Sequence, residues 1–300
     1  MAHFLQLLLV LAVTVHTLAQ SVPDLQSMLT FTRDWTIKDS SWSASTPVCN
    51  WVGVGCAPGN NGDRVTSFTW YQRGCNGTVN MTNLPVDLEF LDLSENYFTG
   101  EQDLNDLPTK LKKVTLDSNR FTGNLTENWS GLPVGLTFLD LSNNLFTGKL
   151  ILRGLPAGLK GLYLGKNQFT GKPILSDCPA SLTALDLAVN MFSGTPILTG
   201  LPVNLTFLDL SANKFTSSSD TPLDLSSLPR GMTFVQMLGN YFHGIPILTN
   251  LPAKVAVFIQ DQAPPGFCGN TSVSGAPCSR VISDGTCQGE DLLVFRYPCA

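Results

Sequence analysis

The chain has 300 residues, is 43% apolar and 14% charged, and carries a formal net charge of −5. That is ample for a folded unit. With no basic stripe to neutralise phosphates, it excludes nucleic acid as a partner.

The chain opens with MAHFLQLLLVLAVTVHTLAQ, an apolar run from Phe4 to Val15 followed by small residues at Thr17 and Ala19. This predicts a secretory signal over residues 1–19, cleaved after Ala19. The n-region has no Lys or Arg, so an uncleaved anchor is the alternative reading. No later segment approaches the length of a membrane span. The tail DLLVFRYPCA is too short and too charged for a lipid-anchor signal. Six sequons, at Asn76, Asn80, Asn124, Asn128, Asn204 and Asn270, agree with export and predict N-glycosylation.

Residues 20–63 read as an N-terminal cap. Over Val22 to Ile37, Leu25, Met28, Leu29 and Trp35 share a helical face behind Asp24 as N-cap. Cys49 and Cys56 enclose six residues, a separation that a disulfide spans without strain. Arg64 to Trp70 then begins a degenerate repeat, with Arg73 and Cys75 in slots that later copies give to Asn and Phe.

Residues 64–263 repeat the pattern L-x-x-L-x-L-x-x-N-x-F-[TS]-G, clearest in Leu136–Gly148. Its Asn falls at Asn96, Asn119, Asn144, Asn167, Asn190, Asn213 and Asn240, at intervals of 23, 25, 23, 23, 23 and 27 residues. Two residues after each comes a Phe, from Phe98 to Phe242. This is the signature of a leucine-rich repeat. It predicts an α/β solenoid: a leucine-rich repeat horseshoe with a parallel concave sheet, an irregular convex side and disulfide-bearing caps at both ends.

Each part of the repeat has a physical task. The x-x-L-x-L segment alternates buried and exposed residues in a short strand. The Asn turns inward and must bond backbone groups of the bend. The Phe stacks on its counterpart in the next turn, and Gly allows a sharp exit. The return path carries Leu-Pro, as at Leu84, Leu201 and Leu251, suiting a side with no ladder of its own. Cys178 takes that Leu slot and is expected to be a buried free thiol that cannot reach Cys75.

Lys254 to Ala263 is a last half-repeat, with Gln260 in a Leu slot and Ala263 in the Asn slot. The array is expected to end there. Residues 264–300 then form a C-terminal cap stapled by Cys268, Cys278, Cys287 and Cys299, for which three pairings are open. Their spacings are not those of C-x-x-C metal sites, so no metal is expected.

The N-terminal stretch DLQSMLTFTRDW, SSW, CNWVGVGC and RVTSF resembles the cap of plant-type extracellular leucine-rich repeat proteins, which include receptor-kinase ectodomains and polygalacturonase inhibitors. The second half of the repeat, G-x-P-I-L-x-x-L-P as in Gly194–Pro202, departs from the plant form. It resembles the surface antigens of kinetoplastid protists. The resemblance covers nearly the whole chain and implies a secreted or cell-surface recognition protein.

Within L-x-x-L-x-L-x-x-N, two columns of residues face outward on the concave sheet. One contains Phe90, Phe138, Phe207 and Phe234; the other contains Asp92, Asp140, Tyr163, Asp186, Asp209 and Gln236. Aromatics beside carboxylates suit a groove for a protein, peptide or glycan. The competing reading of the Asp column is generic repeat consensus, with the Asp solvated or bonded to neighbouring turns. A glycosylated structural or shielding coat antigen without one specific ligand is the alternative function.

Catalysis finds no support in the sequence. Past the signal a single histidine remains, His243, and no nucleophile motif accompanies it. Asp186 and Asp209 would lie about 5 Å apart on adjacent strands, but any repeated Asp does so. The expectation is a binding protein without cofactor.

Overall fold

The computed structural model describes residues 22–59, 62–125, 129–244, 246–260, 280–281, 287–288 and 293–297. These fall into two compact units. The first is Met1–Phe121 with Gly131–Leu136, and the second is Thr122–Ser130 with Thr137–Ala300. Each is a stretch of β-solenoid built on a parallel ladder.

The first unit opens with helix α1, Val22–Phe31, which ends earlier than the sequence pattern suggested. Asp24 lies inside its first turn rather than capping it. The Asp24 carboxylate is buried and accepts a hydrogen bond from the backbone N–H of Val65 at 3.0 Å, tying helix to ladder. Of the expected face Met28 and Trp35 are buried, together with Phe31, while Leu25 and Leu29 are only partly buried.

Below the helix, Trp35, Trp42, Trp51 and Trp70 are all buried. Trp35 lies 5.1 Å from Phe31 and 4.4 Å from Phe98, and Trp42 lies 4.3 Å from Trp70. Cys49 and Cys56 form a disulfide with Cα atoms 5.7 Å apart. It closes the loop into strand Val54–Ala57, which pairs antiparallel with Arg64–Thr69. From there the ladder continues in parallel through Phe90–Asp92 and Lys113–Thr115.

In the second unit the ladder runs through Phe138–Asp140, Gly161–Tyr163, Ala184–Asp186, Phe207–Asp209, Phe234–Gln236 and Ala256–Gln260. It does not end there. Strand Leu293–Tyr297 adds in parallel beside Ala256–Gln260. The last half-repeat is also one residue out of the expected register. Val257 pairs opposite Val235 and is buried with Ile259, so Phe258 points outward. A one-residue slip exchanges the two faces of a strand.

The Asn ladder satisfies backbone groups in two successive turns. Asn190 Oδ1 accepts from the N–H of Phe169 at 3.0 Å, while Nδ2 donates to the carbonyls of Leu164, Leu187 and Ala188. Asn119, Asn167, Asn213 and Asn240 repeat the arrangement, and Asn96 does so against Cys75 N–H. The spine phenylalanines are buried, and Phe169, Phe192 and Phe215 stack at centroid distances of 6.3 and 6.1 Å.

One feature adds to the expected architecture. The x-F-T-G segments pair in a second parallel ladder. In the second unit Leu145–Lys149, Gln168–Gly171, Met191–Gly194 and Lys214–Phe215 pair in sequence. Threonine hydroxyls lace its turns, Thr170 Oγ1 donating to Gly148 O at 3.2 Å and Thr147 Oγ1 to Gly123 O at 3.3 Å. The Leu-Pro stretches beyond it are irregular and carry short 3-10 turns such as Leu104–Asp106 and Leu175–Asp177.

The residue before each Asn turns through left-handed backbone, with φ of 53° at Glu95, 53° at Lys166 and 54° at Val189. Cys75 and Cys178 are buried free thiols. Burial pushes the Cys178 thiol up to about 12, so it stays protonated and inert.

Candidate functional site

In the second unit the two outward columns form one continuous surface, because the parallel register sets residues of successive strands side by side. Phe138 and Tyr163 meet at 5.3 Å. Farther along, Phe207 stacks flat on Phe234 at 5.0 Å, and Phe234 meets Phe258 at 5.4 Å. All five rings are partly exposed. Phe138, Phe207 and Phe234 are therefore not isolated on the surface; with Tyr163 they form two aromatic patches, and Phe258 belongs to the second.

Beside the phenylalanines, in the second outward column, the face is acidic. Asp140, Tyr163, Asp186 and Asp209 are successive neighbours in the ladder, and Gln236 follows Asp209. Each Asp first serves its own turn. Asp140 Oδ1 accepts from the N–H and hydroxyl of Ser142, Asp186 Oδ1 from Ala188 N–H at 2.8 Å, and Asp209 Oδ1 from Ser211 N–H at 2.8 Å. The consensus Asp is thus bonded two residues along its own chain, a structural role within its own turn.

Asp186 differs from its neighbours. Ala188 stands where Asp140 has a serine hydroxyl, and its carboxyl is pushed up to about 6 by burial, then by the charges of Asp209 and Asp140. Lys166 and the Ala188 N–H act in the opposite sense. Tyr163 is raised above its ordinary value by burial and by Asp140 and Asp186 on either side.

The repeat bearing Tyr163 also has glycine on both flanks of it. A Cβ at Gly161 would come within 3.0 Å of the rings of Phe138 and Tyr163. A Cβ at Gly165 would come within 2.9 Å of the Asp186 carboxylate. Two missing side chains therefore let an aromatic ring and a carboxylate close in around Tyr163.

In the first unit, Phe90 is exposed and Asp92 Oδ1 accepts from the N–H and hydroxyl of Ser94. A shallow pocket beside them is lined by residues including Arg64, Asp87, Glu89 and Lys110. It is internally neutralised: Asp87 pairs with Lys110 and with Arg64, and Glu89 pairs with Lys112 at 2.7 Å.

Asn76, Asn80, Asn124 and Asn204 are exposed. Asn76 and Asn124 lie in the second ladder, Asn80 at the start of a 3-10 turn and Asn204 on a return stretch, none in the outward columns. Asn128, Asn270, Cys268, Cys278 and Cys299 lie outside the described residues, as do residues 1–19, and no side-chain contact is described for Cys287. Among the described residues, no cluster of His, Cys, Asp and Glu has the arrangement of a metal site, and no helix is long and apolar enough to cross a membrane.

The Leucine Rich Repeat family model matches residues 135–153 and 204–228. No curated protein sequence matches the chain. Among solved structures, the Arabidopsis receptor kinase HAESA, in complex with the peptide hormone IDA and the co-receptor SERK1, is similar with a TM-score of 0.55 at 22% identity. The likeness covers 79% of this chain and 46% of that one. A Pollen Receptor Kinase 3 is 24% identical over 74% of this chain and 98% of its own, with a TM-score of 0.49. A plant ice-binding protein is 22% identical over 76% and 90%, with a TM-score of 0.45. The chain thus contains leucine-rich repeats at residues 135–153 and 204–228, within a β-solenoid whose fold is similar to that of the HAESA receptor kinase structure.

Proposed function

We propose that the protein is a secreted or cell-surface recognition protein that binds a protein, peptide or glycan partner on the outward columns of its second unit. One observation carries this reading: five partly exposed aromatic rings gather into two patches, and three carboxylates stand on the same outward face, Asp140 and Asp209 on the strands of Phe138 and Phe207 and Asp186 on the strand between. Partly exposed rings bring more apolar surface to water than the fold requires, and such surface is characteristic of interfaces.

Two further points support it. The exposed sequons of this unit, Asn124 and Asn204, lie outside the outward columns, so glycans attached at them would leave those columns open. The receptor whose fold the chain shares was solved with a peptide hormone. The protein is read here as a binder rather than an enzyme, and the carboxylates as recognition groups.

The test compares the purified protein with the Phe138→Ala, Phe207→Ala double variant on immobilised peptide and glycan libraries and on intact cells. The expected outcome is that retained partners are lost while thermal melting moves by a few degrees. A double variant that retains everything the unaltered protein retains would overturn the reading and favour a coat role.

A further inference from the structure

The pocket of the first unit holds about 440 Å³, which is in the range of small-molecule sites. One wall is Ala57, at the end of its strand, with Pro58 and Gly59 after it. The others come from three successive turns. Arg64, Asp87 and Lys110 follow one another at intervals of 23 residues and so hold equivalent places in those turns. Thr66, Glu89 and Lys112 do the same two residues on. Backbone bonds join them, the Glu89 N–H donating to Thr66 O and the Lys112 N–H to Glu89 O, each at 2.8 Å.

The ion pairs neutralise both carboxylates but not every cation. Asp87 stands between two of them, bonded to Lys110 Nζ and 3.9 Å from Arg64 Nε. One carboxylate offsets only one positive charge. Glu89 is matched by Lys112. Arg64, Lys110 and Lys112 against Asp87 and Glu89 leave one positive charge over, in a chain whose net charge is −5.

Arg64 is the group left over. Its side chain is only 26% exposed, yet the Asp87 oxygen nearest to it lies beyond hydrogen-bonding distance. Among the described residues its guanidinium has no hydrogen-bond acceptor. The Arg64 stem lies against Gly59, where a Cβ would come within 2.9 Å of Arg64 Cγ. The absent side chain at 59 thus gives the guanidinium its place in the pocket wall. A planar group with five N–H donors and no protein acceptor is a position for an oxyanion.

We propose that this pocket binds the carboxylate of a small organic acid, held by the Arg64 guanidinium with Lys110 beside it. The apolar body of the acid rests against Ala57 and Pro58. A single negative charge suits the place, because Asp87 and Glu89 line the same pocket and repel a phosphate dianion more strongly. A planar carboxylate also matches the fork of the guanidinium. None of these residues belongs to the outward columns of the second unit, so the site stands or falls separately from the recognition function proposed above.

The probes are N-acetyl-L-alanine, its uncharged amide, inorganic phosphate, and the peptide Gly-Gly-Gly-Ala with a free carboxyl end. Each is titrated against the purified full chain at low salt and followed by ligand-observed NMR. The acid is expected to bind at least tenfold tighter than the amide, with phosphate weaker than the acid. Arg64→Gln should weaken the acid at least tenfold, and Arg64→Lys, which keeps the charge without the fork, about threefold. Asp87→Asn should tighten it severalfold, because Arg64 and Lys110 are then released to the ligand. A merely structural role for Asp87 would move affinity the other way. Thermal melting checks that each variant is folded. Peptide binding equal to that of the acid would support the proposal with a chain end as the source. Peptide binding tenfold weaker would support it with a free acid.

Equal binding of acid and amide would overturn the inference. So would an acid preference that survives Arg64→Gln, tighter binding of phosphate than of the acid, or weaker binding by a folded Asp87→Asn variant. Failure of every probe at millimolar concentration would overturn it too, while leaving recognition by the second unit in place.

Discussion

Beyond the buried Phe spine that both units contain, and the exposed Phe90 of the first, each unit gathers a distinctive set of aromatic residues. In the first, Trp35, Trp42, Trp51 and Trp70 are all buried against Phe31 and Phe68. In the second, Phe138, Tyr163, Phe207, Phe234 and Phe258 line up where solvent reaches them. The first arrangement closes an end of the repeat array, which would otherwise expose core. The second gives no comparable closure. Its rings stack on one another yet remain wet, which separates aromatics kept for stability from aromatics available to a partner.

The sharpest way to break that distinction is to remove one ring from each side. Trp35→Ala should cost about 3 to 5 kcal/mol, the range for emptying a buried large aromatic site. Thermal melting would register this as a large fall in the first unit. Phe207→Ala should cost only about 1 kcal/mol, since part of its surface is already exposed. Similar losses for the two would show that the face aromatics are structural after all.

Asn190→Ala comes next. It leaves the buried Phe169 N–H and three carbonyls without their side-chain partner. A loss of about 2 to 4 kcal/mol follows from stranding that many buried groups. Urea unfolding followed by tyrosine and tryptophan fluorescence would read it.

Asp186→Asn should move stability the other way, and only above a certain pH. The folded carboxyl is raised from 3.8 to about 6, so the folded state holds a proton that the unfolded chain releases earlier. That contribution is fully present below about pH 4 and is lost as pH rises through 6. At pH 7.5 the Asn variant should therefore be more stable by roughly 2 kcal/mol, allowing for partial exposure. Near pH 3.5 the gain should vanish. The groups that govern the shift are Asp140, Asp209 and Lys166, with the Ala188 N–H. A gain that does not change with pH would mean the effect is packing rather than charge.

The smallest expected effect concerns the left-handed corners. In the first unit these are Gln72, Glu95 and Ser118, whereas the second includes Val189 at φ 54°. A β-branched residue is poorly suited to that backbone. Val189→Asn should stabilise by about 0.5 to 1 kcal/mol, visible as a small rise in melting temperature.

The repeat, the Asn bonds and the Phe spine were legible in the sequence because each follows from a strict spacing of residue types that cannot sit elsewhere. Leu185, Leu187, Asn190 and Phe192 leave one arrangement that buries all four. The second ladder was not legible: Met191, Ser193 and their counterparts are exposed, so x-F-T-G reads as loop. The strand period predicts that Phe207 and Asp209 turn outward, but not how neighbouring columns pack. Stacking of Phe207 on Phe234 depends on strand register across an interval of unequal length, and Phe258 was hidden by a one-residue slip. The close approach of Phe138 and Asp186 beside Tyr163 is allowed by the absent side chains at Gly161 and Gly165, which no pattern of present residues announces.

The interval before Asn240 is longer than the others, yet its amide still reaches Phe215 N–H at 3.0 Å, across 25 residues of chain where Asn213 spans 21 to Phe192 at 3.1 Å. The extra length at Ser217–Asp220 is taken up outside the bond, as a Ser218–Thr221 turn. Chain length between turns is thus uncoupled from the geometry of the core. Sequence can be added at such a place at the small entropic cost of a longer closed loop, so this repeat is where a tag, an epitope or a new binding loop could be grafted while the ladder stays in register.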